Sequence, residues 1–341
     1  MNAVDSKTLL KKSELLINGT LVLDRDVKLT FPLSRSTAGP GAGTSSLVIG
    51  FQSTRIKLAV TRDKDASVFV LIPSEKNRVY SILKNGEKFL DHVTLIPTLM
   101  HAPEQAFINI DAGCRYGCLF CTSPHLKNYK RISNEKWVRR IRDSAMKGNA
   151  KAIAITSGIP GTIEENIQDF VTIIRGVNDL GLPIGVEPYV ESREQLQRLY
   201  DAGATELKLN VQTWNRDIFR RVCPDLDRKL ILRMLEHGVE IFGKNRVTSN
   251  IIIGFGECDE NVMDGLQTLA EIGVAPVLRT LHLNPTNSSV LEKAGCIGSV
   301  DSKRLLGLRE EQKRIFTANG IDASKFRTMC FRCGGCDLEL F

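Results

Sequence analysis

The sequence has no run approaching the roughly 18 consecutive apolar residues that a membrane-spanning helix needs. Its N-terminus, Met1 to Leu16, mixes Asp5, Lys7, Lys11, Lys12 and Glu14 with its apolar residues, so it lacks the apolar stretch of a secretory signal. No internal repeat at a fixed short period and no low-complexity tract is visible. Charge of one sign is not in large excess: 46 basic against 39 acidic side chains give a net +7. That balance is compatible with an acidic partner and does not call for nucleic acid or an anionic membrane. The expectation is a cytoplasmic protein. With 341 residues, 42% hydrophobic and 25% charged, the chain can build a real core. It suits a large barrel or two to three modules and argues against disorder as the main state.

Cysteine is the residue present in an unexpected pattern. There are nine, an odd number, and six fall into two tight groups, Cys114/Cys118/Cys121 and Cys330/Cys333/Cys336. Spacing that tight suits metal ligation better than a disulfide framework. Cys223, Cys258 and Cys296 stand alone and read as packed or incidental thiols.

The first hundred residues read as β-rich. Short apolar runs, Leu15–Leu23, Leu47–Phe51, Ile56–Val60, Val68–Ile72 and Val79–Leu83, are broken by turn-formers such as Asn18-Gly19 and Asn85-Gly86. Ser34 to Gly43 is rich in glycine and small residues and reads as a loop whose backbone can approach something closely. From about Ala106 strands alternate with helices. The strands are expected at 107–110, 152–155, 184–186, 206–211, 248–253 and 277–283, and the helices at 135–146, 164–180, 193–202, 227–238 and 260–272. This alternation predicts an α/β fold with a parallel sheet and a partial or full (β/α) barrel, with chemistry on the loops at the C-terminal strand ends. The expected division is residues 1–102 as an N-terminal β-rich module, 103–289 as the barrel, and 290–341 as a C-terminal helix (302–317) with a cysteine-rich tail.

The segment Cys114-Arg-Tyr-Gly-Cys118-Leu-Phe-Cys121 follows the first barrel strand. Three thiolates this close can hold three corners of a [4Fe–4S] cluster and leave one iron open for another ligand. Zinc, with His125 as the nearest further donor, and buried unligated thiols are the other readings.

This CxxxCxxC, with Phe120 before its last cysteine, resembles the radical S-adenosylmethionine (SAM) superfamily over about Ala106 to Asn284. The resemblance implies a partial (β/α)6 TIM-type barrel, Cys114, Cys118 and Cys121 as ligands of a catalytic [4Fe–4S] cluster, and SAM on the open iron. It also implies SAM cleavage to a 5′-deoxyadenosyl radical that abstracts hydrogen from a substrate. Further matches extend the implied SAM site. Thr156, Ser157 and Gly158 stand where the family binds the methionine amino group, although two of that segment's three identities are missing. Asn250-Ile-Ile-Ile-Gly254-Phe-Gly-Glu257 is similar to the family's adenine-contacting motif, with Asn250 in place of its first glycine. Leu207 to Thr213 looks like the Asn-bearing strand of biotin synthase-like members. Asn210 and Gln212 share one strand face there, and Glu187, ending the preceding strand, can accept hydrogen bonds from ribose hydroxyls or stand as a solvated loop carboxylate.

Cys330-Phe-Arg-Cys333-Gly-Gly-Cys336 bears on reaction type. Its spacing suits a second, auxiliary [4Fe–4S] cluster with three protein thiolates, or a small zinc knuckle. In lipoyl synthases a serine in an Arg-Ser-Ser context completes such a cluster. Ser36 in Ser34-Arg35-Ser36-Thr37, with Ser34 as the alternative, is the matching expectation here, against the plainer reading of a glycine-rich loop. The motif order is inverted relative to those enzymes. The layout is similar to two-component lipoyl synthases and implies sulfur insertion into an octanoyl-lysine on an acidic lipoyl carrier domain, with a second radical SAM protein as partner. A ferredoxin or flavodoxin is the implied electron donor, facing Lys127 and Lys130. The alternatives are a radical SAM maturase, cyclase or methyltransferase whose second cluster anchors substrate or relays electrons, and a non-catalytic iron–sulfur carrier. Arg279 reads as a carboxylate binder and His282 as structural.

Overall fold

In the computed structural model, which describes residues 4–35, 44–74, 78–126, 129–338 and 340, Asp5 opens the first helix. Its carboxylate accepts the backbone N–H groups of Lys7 and Thr8, each at 3.0 Å, and α1 runs Ser6–Asn18. Gly19 ends it in the left-handed region, φ 72°, where glycine carries no Cβ penalty. The run expected as one extended segment, Leu15–Leu23, therefore divides at Gly19 into a helix end and a strand. Charged residues masked the helix in the sequence, yet Lys12 is fully buried on the same face as Leu9 and Leu16.

Seven strands follow: β1 Thr20–Leu23, β2 Ser34–Arg35, β3 Ser45–Phe51, β4 Thr54–Thr61, β5 Phe69–Pro73, β6 Tyr80–Lys84 and β7 Glu87–Ile96. Their order is β2-β3-β4-β1-β5-β6-β7, and β7 pairs back onto β3, so six of them close into a small barrel. β1 is parallel to both of its neighbours, and the other pairs are antiparallel. Alternation along β4 sends Ile56 and Leu58 into the barrel core and leaves Arg55 and Lys57 on the opposite face.

The second half alternates as expected. Its elements are β8 Gln105–Asn109, α2 Asn134–Met146, β9 Ala152–Thr156, α3 Ile163–Arg175, β10 Ile184–Glu187, α4 Arg193–Ala202, β11 Glu206–Lys208, α5 Arg216–Val222, α6 Arg228–Phe242, β12 Val247–Ile253, α7 Asp259–Glu271 and β13 Ala275–Thr280. The six strands pair in parallel in strict chain order, β8 to β13, forming the partial TIM-type barrel. The helix expected at 164–180 stops at Arg175 and continues only as a single turn at Asn178–Leu180. Among the described residues three further α-helices follow: α8 Ser288–Lys293, α9 Ser302–Ala318 and α10 Met329–Cys333. Among the described residues no helix is long and apolar enough to cross a membrane.

No pairing joins β13 to β8 among the described residues, and the N-terminal half packs across that side. The Thr280 hydroxyl donates to the Leu16 carbonyl at 3.3 Å. A Cβ on Gly19 would lie 2.6 Å from His282 Nδ1, so α1 ends directly on the loop after β13. His101, which follows β7, stacks on Phe107 of β8 with ring centroids 4.5 Å apart.

Candidate functional site

The first cysteine loop leaves the C-terminal end of β8 and is held by backbone contacts on both sides. Arg115 N–H donates to the Ile159 carbonyl at 2.8 Å, and Leu119 N–H donates to the Val222 carbonyl at 2.8 Å. Gly117 N–H donates to Asp225 at 2.7 Å. Cys114, Cys118 and Cys121 are free and partly exposed. Burial raises the Cys114 and Cys121 thiols above the ordinary thiol range, so a bound metal must supply the charge that deprotonates them. Cys223 was expected to be a bystander. It packs against this loop, and a hydrogen bond with Cys118, followed by burial, holds its thiol well above the usual range.

The tail reaches the barrel from the other end. Gln105 is the first residue of β8, Gly185 the second of β10 and Glu206 the first of β11, so the three share the N-terminal layer of the sheet. Glu206 accepts from Arg327 N–H at 2.8 Å, Thr328 N–H at 3.0 Å and the Thr328 hydroxyl at 2.6 Å. Gln105 exchanges two bonds with the backbone of Met329, at 2.8 and 3.1 Å. A Cβ on Gly185 would meet Thr328 Oγ1 at 2.1 Å, so a side chain there would exclude the tail. Residues 328–330 thus rise into the barrel interior, and α10 ends at Gly334 in the left-handed region, φ 58°.

Cations from separate elements meet the second triplet. Lys208 Nζ of β11 donates to Cys330 Sγ at 3.3 Å, and Arg279 of β13 lies 3.7 Å from the same sulfur. Lys12 of α1 donates to the Gly334 carbonyl at 2.8 Å. Lys57 of β4 gives its backbone N–H to the Gly335 carbonyl at 2.6 Å and its ammonium to the His101 carbonyl at 2.6 Å. Burial brings the Lys57 ammonium down to about 8, against the opposing pull of Cys336 and Cys333. Burial would also lower Lys208, but Cys330 and Glu187 hold it above its ordinary value. Burial, then Cys336, pushes the Cys333 thiol up to about 11. For His101, burial and then the cations Lys57, Arg279 and Lys208 push the imidazole well below its usual range.

Both triplets line one cavity of about 880 Å³. Phe120, Thr156, Ser157, Gly158, Glu187, Asn210, Gln212 and Gly254 line it too. Of the described residues of the sequence-derived site, Glu257 and the alternative Ser34 do not line it. Glu257 is 6% exposed and is not among the lining residues. Its oxygens accept from Gly254 and Phe255 N–H, each at 2.9 Å, and from Arg304 at 2.9 Å. It shapes the turn after β12 from behind. Ser36 lies outside the described residues, as does Lys127. The alternative Ser34 does not face the cavity: its hydroxyl is bonded to Ser46 at 2.8 Å, whereas Ser46 and Thr44 do line it.

Glu187 is not a solvated loop carboxylate. It accepts from Asn210 Nδ2 at 2.5 Å and pairs with Lys208 at 3.3 Å. Asn210 Oδ1 in turn accepts the Asn250 backbone N–H at 3.0 Å. The buried Asn250 Oδ1 has no partner on a residue that lines the cavity, an acceptor suited to a ligand's N–H or O–H. Lys57, His101 and Lys208 are among the lining residues that sequence reasoning missed. Lys208 carried a usable signal, because it shares the two-residue alternation of Asn210 and Gln212. Lys57 carried none.

The thiols fit cluster chemistry. Among the described residues no three His, Cys, Asp or Glu side chains converge on a single ion position, and a cubane does not need that convergence, since each thiolate takes a different iron.

Comparison with known proteins follows the same lines. Residues 108–269 match the Radical SAM superfamily. The lipoyl synthase of Corynebacterium urealyticum is 25% identical over 195 residues, covering 54% of this chain and 53% of its own length. That of Escherichia coli is 24% identical over 232 residues, 64% of this chain and 71% of its own. The chain thus spans about half the length of the first relative. Among solved structures, methylornithine synthase superposes with a TM-score of 0.51 at 16% identity, covering 69% of this chain and 71% of its own. A radical SAM methyltransferase from Sphaerobacter thermophilus gives 0.50 at 16%, covering 75% and 76%. These likenesses are of fold.

Proposed function

We propose that the chain is a radical SAM enzyme, on the match of residues 108–269 to that superfamily, and that it inserts sulfur at an unactivated carbon of an acyl chain. The substrate type is that of lipoyl synthase, an octanoyl-lysine on a lipoyl carrier domain. The observation that carries this reading is that Cys114/Cys118/Cys121 and Cys330/Cys333/Cys336 open into the same cavity. A sulfur donor must reach the carbon from which hydrogen is taken. When bound, a [4Fe–4S] cluster on the first triplet supplies the electron that cleaves SAM, and one on the second supplies the sulfur.

The chain's own residues do the rest. Glu187, Asn210, Asn250 and the 156–158 turn offer hydrogen-bonding groups to the polar parts of SAM. Phe120 packs on Phe255, ring centroids 5.8 Å apart, and closes the floor beside the first triplet. Lys57, Lys208 and Arg279 offset the negative charge of the second thiolate set. Ser36 is the proposed oxygen ligand completing that set, an acidic lipoyl domain and a second radical SAM protein are the proposed partners, and a ferredoxin or flavodoxin the proposed reductant.

The test is anaerobic reconstitution with SAM, dithionite and an octanoyl-lysine peptide, with and without a partner protein, reading thiolated product by mass spectrometry. Ample 5′-deoxyadenosine with no sulfur transfer in either condition sinks the proposal. The cations around the second triplet also favour a second reading, in which that site anchors an anionic substrate of a maturase, cyclase or methyltransferase. Loss of auxiliary sulfide during turnover argues against it.

A further inference from the structure

Lys208 is 5% exposed and stands between a cysteine sulfur and a carboxylate. Its ammonium is 3.3 Å from Cys330 Sγ and 3.3 Å from Glu187 Oε1. Cys330 belongs to the tail that enters at the N-terminal ends of the strands. Glu187 ends β10, and it bonds Asn210, which bonds the backbone of Asn250. One buried cation is therefore divided between the second cysteine site and a polar row, Glu187, Asn210 and Asn250, that lines the same cavity as the first triplet.

A shared buried ammonium makes its two partners depend on each other, because removing one anion gives the whole charge to the other. We infer that Lys208 couples the two ends of the cavity: the state of the Cys330 site sets how free Glu187 is to accept hydrogen bonds from SAM. With the second site filled, Lys208 is held partly by Cys330, and Glu187 retains lone pairs for a ligand. With Cys330 removed, Lys208 closes on Glu187 and takes that capacity away. Linkage makes the effect reciprocal, so SAM binding steadies the second site by the same factor. Lys208 is a positioning residue in this scheme, acting through Glu187. The inference rests on the proposal that the second triplet holds a cluster.

The test is a double-mutant cycle on SAM affinity. Anaerobically reconstituted wild type, Cys330→Ala/Cys333→Ala, Lys208→Met and the combined variant are titrated with SAM by equilibrium dialysis. Perturbation of the reduced first cluster's EPR signal is the second readout. Loss of the two cysteines is expected to weaken SAM binding about fivefold or more with Lys208 present and to leave it unchanged in the Lys208→Met background. Lys208→Arg is expected to keep part of the ratio. First-cluster iron retained in every variant excludes misfolding as the cause. Equal ratios in both backgrounds, or no effect of the cysteines in either, overturn the coupling alone. A wild-type iron content of only about four per chain overturns the second cluster, and the coupling with it.

Discussion

Gly158 lies directly against the backbone of Gly113: a Cβ at position 158 would sit 2.1 Å from the Gly113 carbonyl oxygen. The turn after β9 thus forms one wall of the first cysteine loop, and its N–H donates to the Asp111 carbonyl at 2.7 Å. The obstacle is backbone, which cannot rotate aside. Gly158→Ala is expected to cost about 2 kcal/mol or more and to lower iron retained at the first triplet. Thermal unfolding and iron assay check it, and an unchanged iron content with an unchanged midpoint contradicts this packing.

Iron content separates the two triplets. Two cubanes give about eight irons per chain, and Cys330→Ala/Cys333→Ala is expected to leave about four. At saturating SAM the same variant keeps the SAM-dependent change in the first cluster's EPR spectrum if the triplets are independent sites for iron.

Glu257 tests what a familiar-looking motif does in this chain. Its carboxylate binds two backbone N–H groups and Arg304 and is almost wholly buried. Glu257→Gln removes one of the two carboxylates on Arg304, leaving Asp259 at 2.6 Å, and turns an amide toward a donor. A loss of about 2–3 kcal/mol in urea unfolding is expected. A variant with wild-type stability but weakened SAM binding reassigns Glu257 to the ligand.

Acid sensitivity has one identifiable source in His282. Burial, and then the nearby Arg279, takes its imidazole down to about 4. A protonated His282 is disfavoured in the native state, so the unfolded chain binds the proton first as pH falls below about 6.5. Its contribution to stability is full at neutral pH and declines as pH drops toward 4. Between pH 7 and pH 5 it amounts to about 2 kcal/mol. Urea unfolding of iron-free wild type and His282→Asn at both pH values is expected to show the smaller pH effect in the variant. Equal pH effects in the two proteins rule out His282 as the source.

The six parallel strands and the helices around them, the short α5 excepted, were legible because each carries its own signal, an apolar run or a 3.6-residue stripe bounded by turn-formers. The first triplet was legible because its ligands lie within eight residues of one another, Cys114 to Cys121. Helix α1 was not, since the residue at the centre of its buried face is Lys12. A buried lysine is intelligible only through its partner, the Gly334 carbonyl 322 positions away. Lys57 was hidden for the same reason: its alternation with Ile56 and Leu58 describes an ordinary half-exposed strand, and nothing local says that residues 333–336 cover the exposed half. Glu257 shows the opposite error. A motif placed it in the ligand site, and the geometry turned its carboxylate inward.

The bond between Lys12 and Gly334 also fixes an order of events. The second cysteine site draws on α1, β4, β11, β13 and the tail, so no shorter stretch of the chain contains it. A ribosome must release residue 336 before that pocket can exist, whereas the first triplet and most of its surrounding strands emerge well before. Long-range closure of this kind is slow relative to local folding. On the proposal that the second triplet also holds a cluster, its filling comes after the first loop is complete.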